Sequence, residues 1–277
     1  MKRRGTEGKI LVRLTVIGLV AAALAVTGPN ASAATPAQIF IAGDSTASTY
    51  TSSQAPRAGW GQALPVFLTP NAVARNEALS GASSKSFIDL GRLDRILSRI
   101  KAGDYLLISF GHNDEKKEDP ARYTEPSTTY KSYLSQYIDK SRAKGAKPVL
   151  VTSVERRRFS SSGTITPTHG AYPAAMRELA LAKSVPLIDL TAMSTALFNR
   201  VGPEGTKKYF MHLKAGQYPN YPNGVEDNTH FQATGAIEVA RLVATALRNQ
   251  YVIPTPAFWK LGDQIPPSAI VWPKSAQ

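Results

Sequence analysis

The chain of 277 residues contains no cysteine. This excludes disulfides, thiolate nucleophiles and thiolate zinc sites, so any chemistry must rest on serine, histidine, carboxylates or a metal held by oxygen and nitrogen. Acidic residues are also scarce: 20 Asp and Glu stand against 33 Lys and Arg, a formal net charge of +13. Such a balance calls for a polyanionic partner, whether nucleic acid, acidic lipid or acidic polysaccharide. Long apolar runs are missing except one, Leu14–Val26, whose thirteen residues fall short of the roughly 20 that a membrane span needs. With 43% hydrophobic residues and a full set of aromatics, what is present suits a folded domain rather than a disordered chain.

The apolar run follows Lys2, Arg3, Arg4, Lys9 and Arg13 and precedes Gly28, Pro29 and the small triplet Ala31-Ser32-Ala33. Positive, apolar and small residues in that order describe a secretory signal with cleavage after Ala33, so residues 1–33 are expected to be removed and the protein to be extracellular. Removal takes five basic side chains and Glu7, a net of +4, and leaves +9 on the remaining chain. For an exported protein free of the membrane after cleavage, acidic polysaccharide displaces nucleic acid as the expected polyanion.

From residue 37 onward short apolar runs alternate with longer amphipathic ones. Gln38–Ile41, Ala72–Arg75, Asp104–Phe110, Lys147–Ser153 and Val185–Leu190 read as buried strands. Leu93, Ile96, Leu97 and Ile100 repeat with helical period, as do Tyr130, Leu134 and Tyr137, then Met193, Leu197, Phe198 and Val201, then Ile237, Ala240, Val243 and Leu247. Five strands alternating with helices predict an α/β fold: a three-layer α/β/α sandwich on a five-stranded parallel sheet with right-handed crossovers. One catalytic domain is expected over 34–250, and the tail 251–277, with five prolines and two tryptophans, is expected to lie extended upon it.

In such sheets ligands gather at the carboxyl ends of the strands. The first strand ends in Gly43-Asp44-Ser45-Thr46, which would present a serine at the top of the sheet before a helix, as a nucleophile requires; the same residues also make a good turn and helix cap. The second ends in Asn76-Glu-Ala-Leu-Ser-Gly81, where glycine either bares a backbone N–H or serves a turn of positive φ. The third ends in Phe110-Gly-His112-Asn113-Asp114, whose amide suits an oxyanion. Asp227 stands three residues before His230, a spacing that lets a carboxylate fix an imidazole tautomer, although Asp227 or Thr229 could equally cap the last helix. With flavodoxin-like strand order 2-1-3-4-5, Ser45, Gly81 and Asn113 share one crevice, and Asp227 and His230 complete the set for acyl transfer.

These blocks, in this order, resemble the SGNH (GDSL) hydrolase family. Gly43-Asp-Ser-Thr46, Gly59-Trp-Gly61, Phe110-Gly-His-Asn-Asp114, Arg156-Arg-Arg-Phe159, Thr168-His-Gly-Ala-Tyr-Pro173 and Asp227-Asn-Thr-His-Phe231 are similar, more narrowly, to the bacterial rhamnogalacturonan acetylesterases of carbohydrate esterase family 12. The resemblance covers roughly residues 38 to 250. It implies Ser45 as nucleophile, His230 as base, Asp227 as orienting acid, and Ser45, Gly81 and Asn113 as oxyanion donors, with no metal or cofactor.

The expected substrate is an acetylated acidic polysaccharide of the rhamnogalacturonan or pectin type, and the protein is expected to act as a monomer. Arg156, Arg157 and Arg158 follow the fourth strand, and at least one should reach the catalytic face to pair with a uronate carboxylate; His112 and His169 are further candidate substrate contacts. Trp60 and the tyrosines near Tyr218 and Tyr221 could stack on sugar faces. The rivals are a lipase or thioesterase on the same fold, a xylan acetylesterase, a metallophosphoesterase, which would need more His and Asp ligands than a chain with 4 histidines and no His-x-His pair offers, and a non-catalytic polysaccharide-binding protein.

Overall fold

The computed structural model describes residues 35–275, with Met1 and Gly5 alone ahead of them, so the expected signal segment lies outside the described residues. The chain divides into units 1–34 and 35–277, and the second carries all the architecture that follows. In chain order it comprises β1 (Ala37–Gly43), β2 (Arg57–Ala58), α1 (Trp60–Ala63), β3 (Ala72–Asn76), α2 (Ser84–Asp89), α3 (Arg92–Leu97), β4 (Tyr105–Ser109), α4 (Lys131–Ala143), β5 (Lys147–Val151), α5 (Tyr172–Ala182), β6 (Leu187–Ile188), α6 (Leu190–Thr206), β7 (Phe210–Leu213), β8 (Val225–Gln232) and α7 (Ala233–Asn249).

The main sheet has five parallel strands in the order β3-β1-β4-β5-β6. Counting only its own strands, this is the expected 2-1-3-4-5. Strand side chains alternate between faces, and both faces are apolar because both are covered. Ile39, Ile41, Leu107, Val149 and Val151 pack with α1, α6 and α7, while Phe40, Ala42, Leu106, Ile108 and Leu150 pack with α2 to α5. Burying each of these side chains larger than alanine contributes roughly 1.5–3 kcal/mol, so these two layers hold the sheet rigid beneath the loops at its carboxyl edge.

A second sheet of three antiparallel strands, β2-β8-β7, stands apart from the first. Its strand β8 carries Asp227 and His230 just ahead of the last helix. Between Phe210 and Met211 the register breaks: Phe210 pairs with Phe231, but Met211 pairs with Asp227. Asn228, Thr229 and His230 are therefore looped out of the ladder as a bulge, a device that re-aims side chains. The last helix begins after Gln232, so neither Asp227 nor Thr229 caps it.

The segment after α7 lies along the domain. Ile253, Ala257, Phe258 and Ile270 enter the core, Trp259 Nε1 donates to Val66 O at 3.1 Å, and Trp272 Nε1 donates to Arg57 O at 2.9 Å. The tail thereby braces β2.

Candidate active site

Because the main sheet is parallel, the loops after β1, β3, β4 and β5 emerge at one edge. The loop after β1 opens at Asp44, whose Oδ1 accepts from Thr46 N–H and Thr46 Oγ1, both at 2.8 Å. Burial pushes this carboxyl upward against those two hydrogen bonds. The turn sets Ser45 at the rim, and Tyr50 Oη donates to Ser45 O at 2.7 Å. No helix follows the serine at once: 45–47 are a turn, and α1 begins only at Trp60. The clasp around Asp44, rather than a helix N-terminus, holds the serine.

His230 reaches the serine from the bulge of β8. Its Nε2 lies 2.9 Å from Ser45 Oγ, and its Nδ1 lies 2.6 Å from Asp227 Oδ2. Asp227 Oδ1 accepts from Thr229 N–H at 2.7 Å and His230 N–H at 3.0 Å, so one carboxylate both shapes the bulge and orients the ring. Burial raises the Asp227 carboxyl, but the hydrogen bond and charge of His230 with the two backbone donors outweigh it and bring the pKa down to about 2. An ionised Asp227 accepts, which places the imidazole proton on Nδ1 and leaves Nε2 as the acceptor for the serine proton.

Two further loops face this pair. Gly81, after β3, takes φ +82, a backbone that side chains resist. Asn113, after β4, donates one Nδ2 hydrogen to Ala82 O at 2.9 Å and keeps the other. Neither Ser45 N–H nor Gly81 N–H has an acceptor among the described residues. The three donors border a cavity of about 280 Å³ shared with Ser45 and His230. The arrangement can remove a proton from Ser45 and hydrogen-bond a developing oxyanion. Among the described residues, no group of three His, Asp or Glu side chains is placed to hold a metal.

Behind Asn113, Asp114 is fully buried and ties the loops together, accepting from Ser84 N–H at 3.1 Å, from Ser84 Oγ, and from Thr124 Oγ1 at 2.9 Å. Burial outweighs these hydrogen bonds and lifts its pKa to about 7.

The candidate substrate contacts separate. Of the three arginines, Arg156 alone lines the cavity, braced by an ion pair with Glu115 and by contacts at 3.4 Å to Thr168 and His169. Arg157 turns away to Pro203 O at 2.7 Å and Asn228 Oδ1 at 3.2 Å, and Arg158 is exposed outside the cavity. His169 is buried beneath, with Nε2 donating to Val154 O at 2.9 Å and Nδ1 facing Glu115 at 3.2 Å. His112 borders the cavity, but both its ring nitrogens are buried without a partner among the described residues. Burial, with His169 and Arg156 nearby, holds its imidazole well below the ordinary histidine range. Trp60 is fully enclosed and offers no face to a sugar.

Arg57, Lys116 and Arg122 also line the cavity, and the sequence reading missed them. Lys116 and Arg122 lie shortly after the Asn113 block, so their strand-end position was a usable signal. Arg57 had none, since its two-residue strand exists only through pairing with β8.

A family model for the GDSL-like lipase/acylhydrolase family matches residues 41–236. Over 214 residues the chain is 48% identical to the rhamnogalacturonan acetylesterase RhgT of Bacillus subtilis (strain 168), covering 77% of this chain and 90% of that protein. It is 42% identical to the probable rhamnogalacturonan acetylesterase YesY of the same strain, covering 76% and 92%. Among solved structures, the Bacillus subtilis protein YxiM superposes with a TM-score of 0.66 at 31% identity, over 79% of this chain and 58% of that one.

Proposed function

The chain belongs to the GDSL-like lipase/acylhydrolase family and is a carboxylic ester hydrolase, and on that premise we propose that it is a secreted acetylesterase acting on an acidic, rhamnogalacturonan-type polysaccharide through Ser45, His230 and Asp227. One observation carries the reading. The Ser45–His230–Asp227 chain opens into a cavity whose walls also hold Arg57, Lys116, Arg122 and Arg156.

Ser45 Oγ attacks the acetyl carbonyl as His230 Nε2 takes its proton. The tetrahedral oxyanion accepts from the N–H groups of Ser45 and Gly81 and from the free Asn113 amide hydrogen. His230 then returns the proton to the departing sugar oxygen, leaving acetyl on Ser45. Water repeats the attack with His230 as base and releases acetate. Asp227 stays ionised throughout and stabilises the transient imidazolium.

The lining favours a short acyl group on an anionic carrier. No aliphatic side chain borders the cavity, whereas a lipase needs an apolar groove for its acyl chain. Four cations line so small a space, Arg156 held in place by Glu115 and Arg122 by Asp119, and together they suit the carboxylates of an acidic polymer. The names of the relatives RhgT and YesY agree with that substrate class. The basic, apolar and small-residue order of residues 1–33 supports export.

The test is acetate release from acetylated rhamnogalacturonan by the wild type and Ser45→Ala. The variant should keep its circular dichroism and melting temperature and lose acetate release; retained activity in a folded Ser45→Ala protein overturns the assignment. Aryl esters check acyl length, with acetate expected to be hydrolysed well ahead of octanoate.

A further inference from the structure

Beside the catalytic cavity lies a second one of about 210 Å³, bordered by Tyr50, Gln54, Asn76, Ser80, Arg92 and Arg95 among others. Ser80 borders both cavities. Between them stand Tyr50 and Arg57: Arg57 lines the catalytic cavity and Tyr50 the second, and the guanidinium sits 4.5 Å from the centre of the Tyr50 ring. Tyr50 in turn is hydrogen-bonded to Ser45 O. The second cavity is thus a lateral continuation of the site, reached past Ser80.

Its charges are not balanced internally. The one carboxylate on its wall, Glu77, is already paired, with Arg95 Nε at 3.3 Å and Arg99 at 2.6 Å. Arg92 has no ion pair or hydrogen bond among the described residues, and its Nε is buried without a partner. A buried guanidinium nitrogen without an acceptor carries a desolvation cost that an anionic ligand would offset. The neutral groups nearby, Asn76, Thr49 and Gln54, can hydrogen-bond the hydroxyls of a sugar.

We propose that this second cavity is a subsite for a second uronate of the polymer backbone, and that Arg92 is the partner of its carboxylate. The inference deepens the acidic-polysaccharide reading above and rests on it. A polymer lying across the rim places the acetylated sugar over Ser45 and a second uronate further along the backbone past Ser80. Arg57, stacked on Tyr50 at the boundary, can serve carboxylates on either side, while Arg92 serves the outer one alone.

The experiment compares kcat/KM of the full-length wild type and Arg92→Gln on acetylated rhamnogalacturonan and on the same polymer with its uronate carboxyls reduced to alcohols. The wild type should prefer the acidic form, and Arg92→Gln should shrink that preference about tenfold, the scale of one charge-assisted contact, with Arg92→Lys restoring part of it. An undiminished preference in Arg92→Gln overturns the subsite while leaving the acidic-substrate reading intact. A wild type that treats both polymers alike overturns the acidic-substrate reading itself, and the subsite with it.

Discussion

Asn113 Nδ2 donates to the carbonyl oxygen of Ala82 at 2.9 Å, so the amide that follows β4 is braced against the loop that follows β3. One amide hydrogen is spent on that brace, and Asn113 keeps the other while bordering the cavity that Ser45 and His230 share. In the oxyanion role proposed for it, such a donor is fixed before substrate arrives, the condition for stabilising a transition state.

Asn113→Ala is expected to lower kcat by about 10²–10³, with little change in KM, because the lost hydrogen bond strengthens only as charge develops on the oxyanion. Steady-state kinetics on an aryl acetate read this directly. A variant within threefold of the wild-type kcat shows that the amide does not face the oxyanion.

Asp227→Asn removes the acceptor that fixes the His230 tautomer and should cut kcat by about 10³–10⁴. Its effect on stability has a defined pH window. The folded-state pKa of about 2 lies below the ordinary carboxylate value, so the carboxylate stabilises the fold above about pH 4 and the benefit fades as pH falls toward 2. Melting curves of wild type and variant should therefore differ at pH 5–7 and converge in acid. A gap that persists unchanged down to pH 2 contradicts this.

Asp114 has the opposite sign. Its pKa is raised to about 7, so the folded state holds a proton that the unfolded chain has released, and the stability present below about pH 4 is lost as pH rises through 7. Relative to Asp114→Asn, the wild-type melting temperature should fall by roughly 5–10 °C between pH 4 and pH 7. Parallel curves for the two proteins exclude it.

The cations around the cavity predict a salt response that depends on substrate charge. Raising NaCl from about 50 to 500 mM should raise KM for an acetylated acidic polymer several-fold, since partly exposed charges are screened over these Debye lengths. Hydrolysis of a neutral aryl acetate should change little. Equal responses for the two substrates mean that the four cations do not hold the polymer.

The parallel α/β order was legible because strand runs such as Gln38–Ile41 and Asp104–Phe110 are local signals, mostly apolar and closed by glycine. Helix stripes in α4, α6 and α7 were legible for the same reason, whereas α5, which begins inside the Thr168–Pro173 block, has no stripe that stood out. Strand β8 was not legible at all. Val225–Gln232 is largely polar, and its partners are β7 across a turn-rich hairpin and β2 some 170 residues earlier. Arg57 entered the cavity unannounced because it rides on that pairing. The partly buried brace made by His169 and Glu115 joins residues 54 apart in sequence and has no local signature either.

The sequence by itself determined the sheet and which residues stand at its carboxyl edge, because strand periodicity and glycine stops are written within a few residues of Ser45, Gly81 and Asn113. The tertiary structure decided what those residues face. Only the register break opposite Phe210 turns His230 toward Ser45, and only folding shows that Arg156 reaches the cavity while Arg157 and Arg158 do not. A side chain's residue type and spacing are local properties; its direction at a strand end is set by partners distant in the chain.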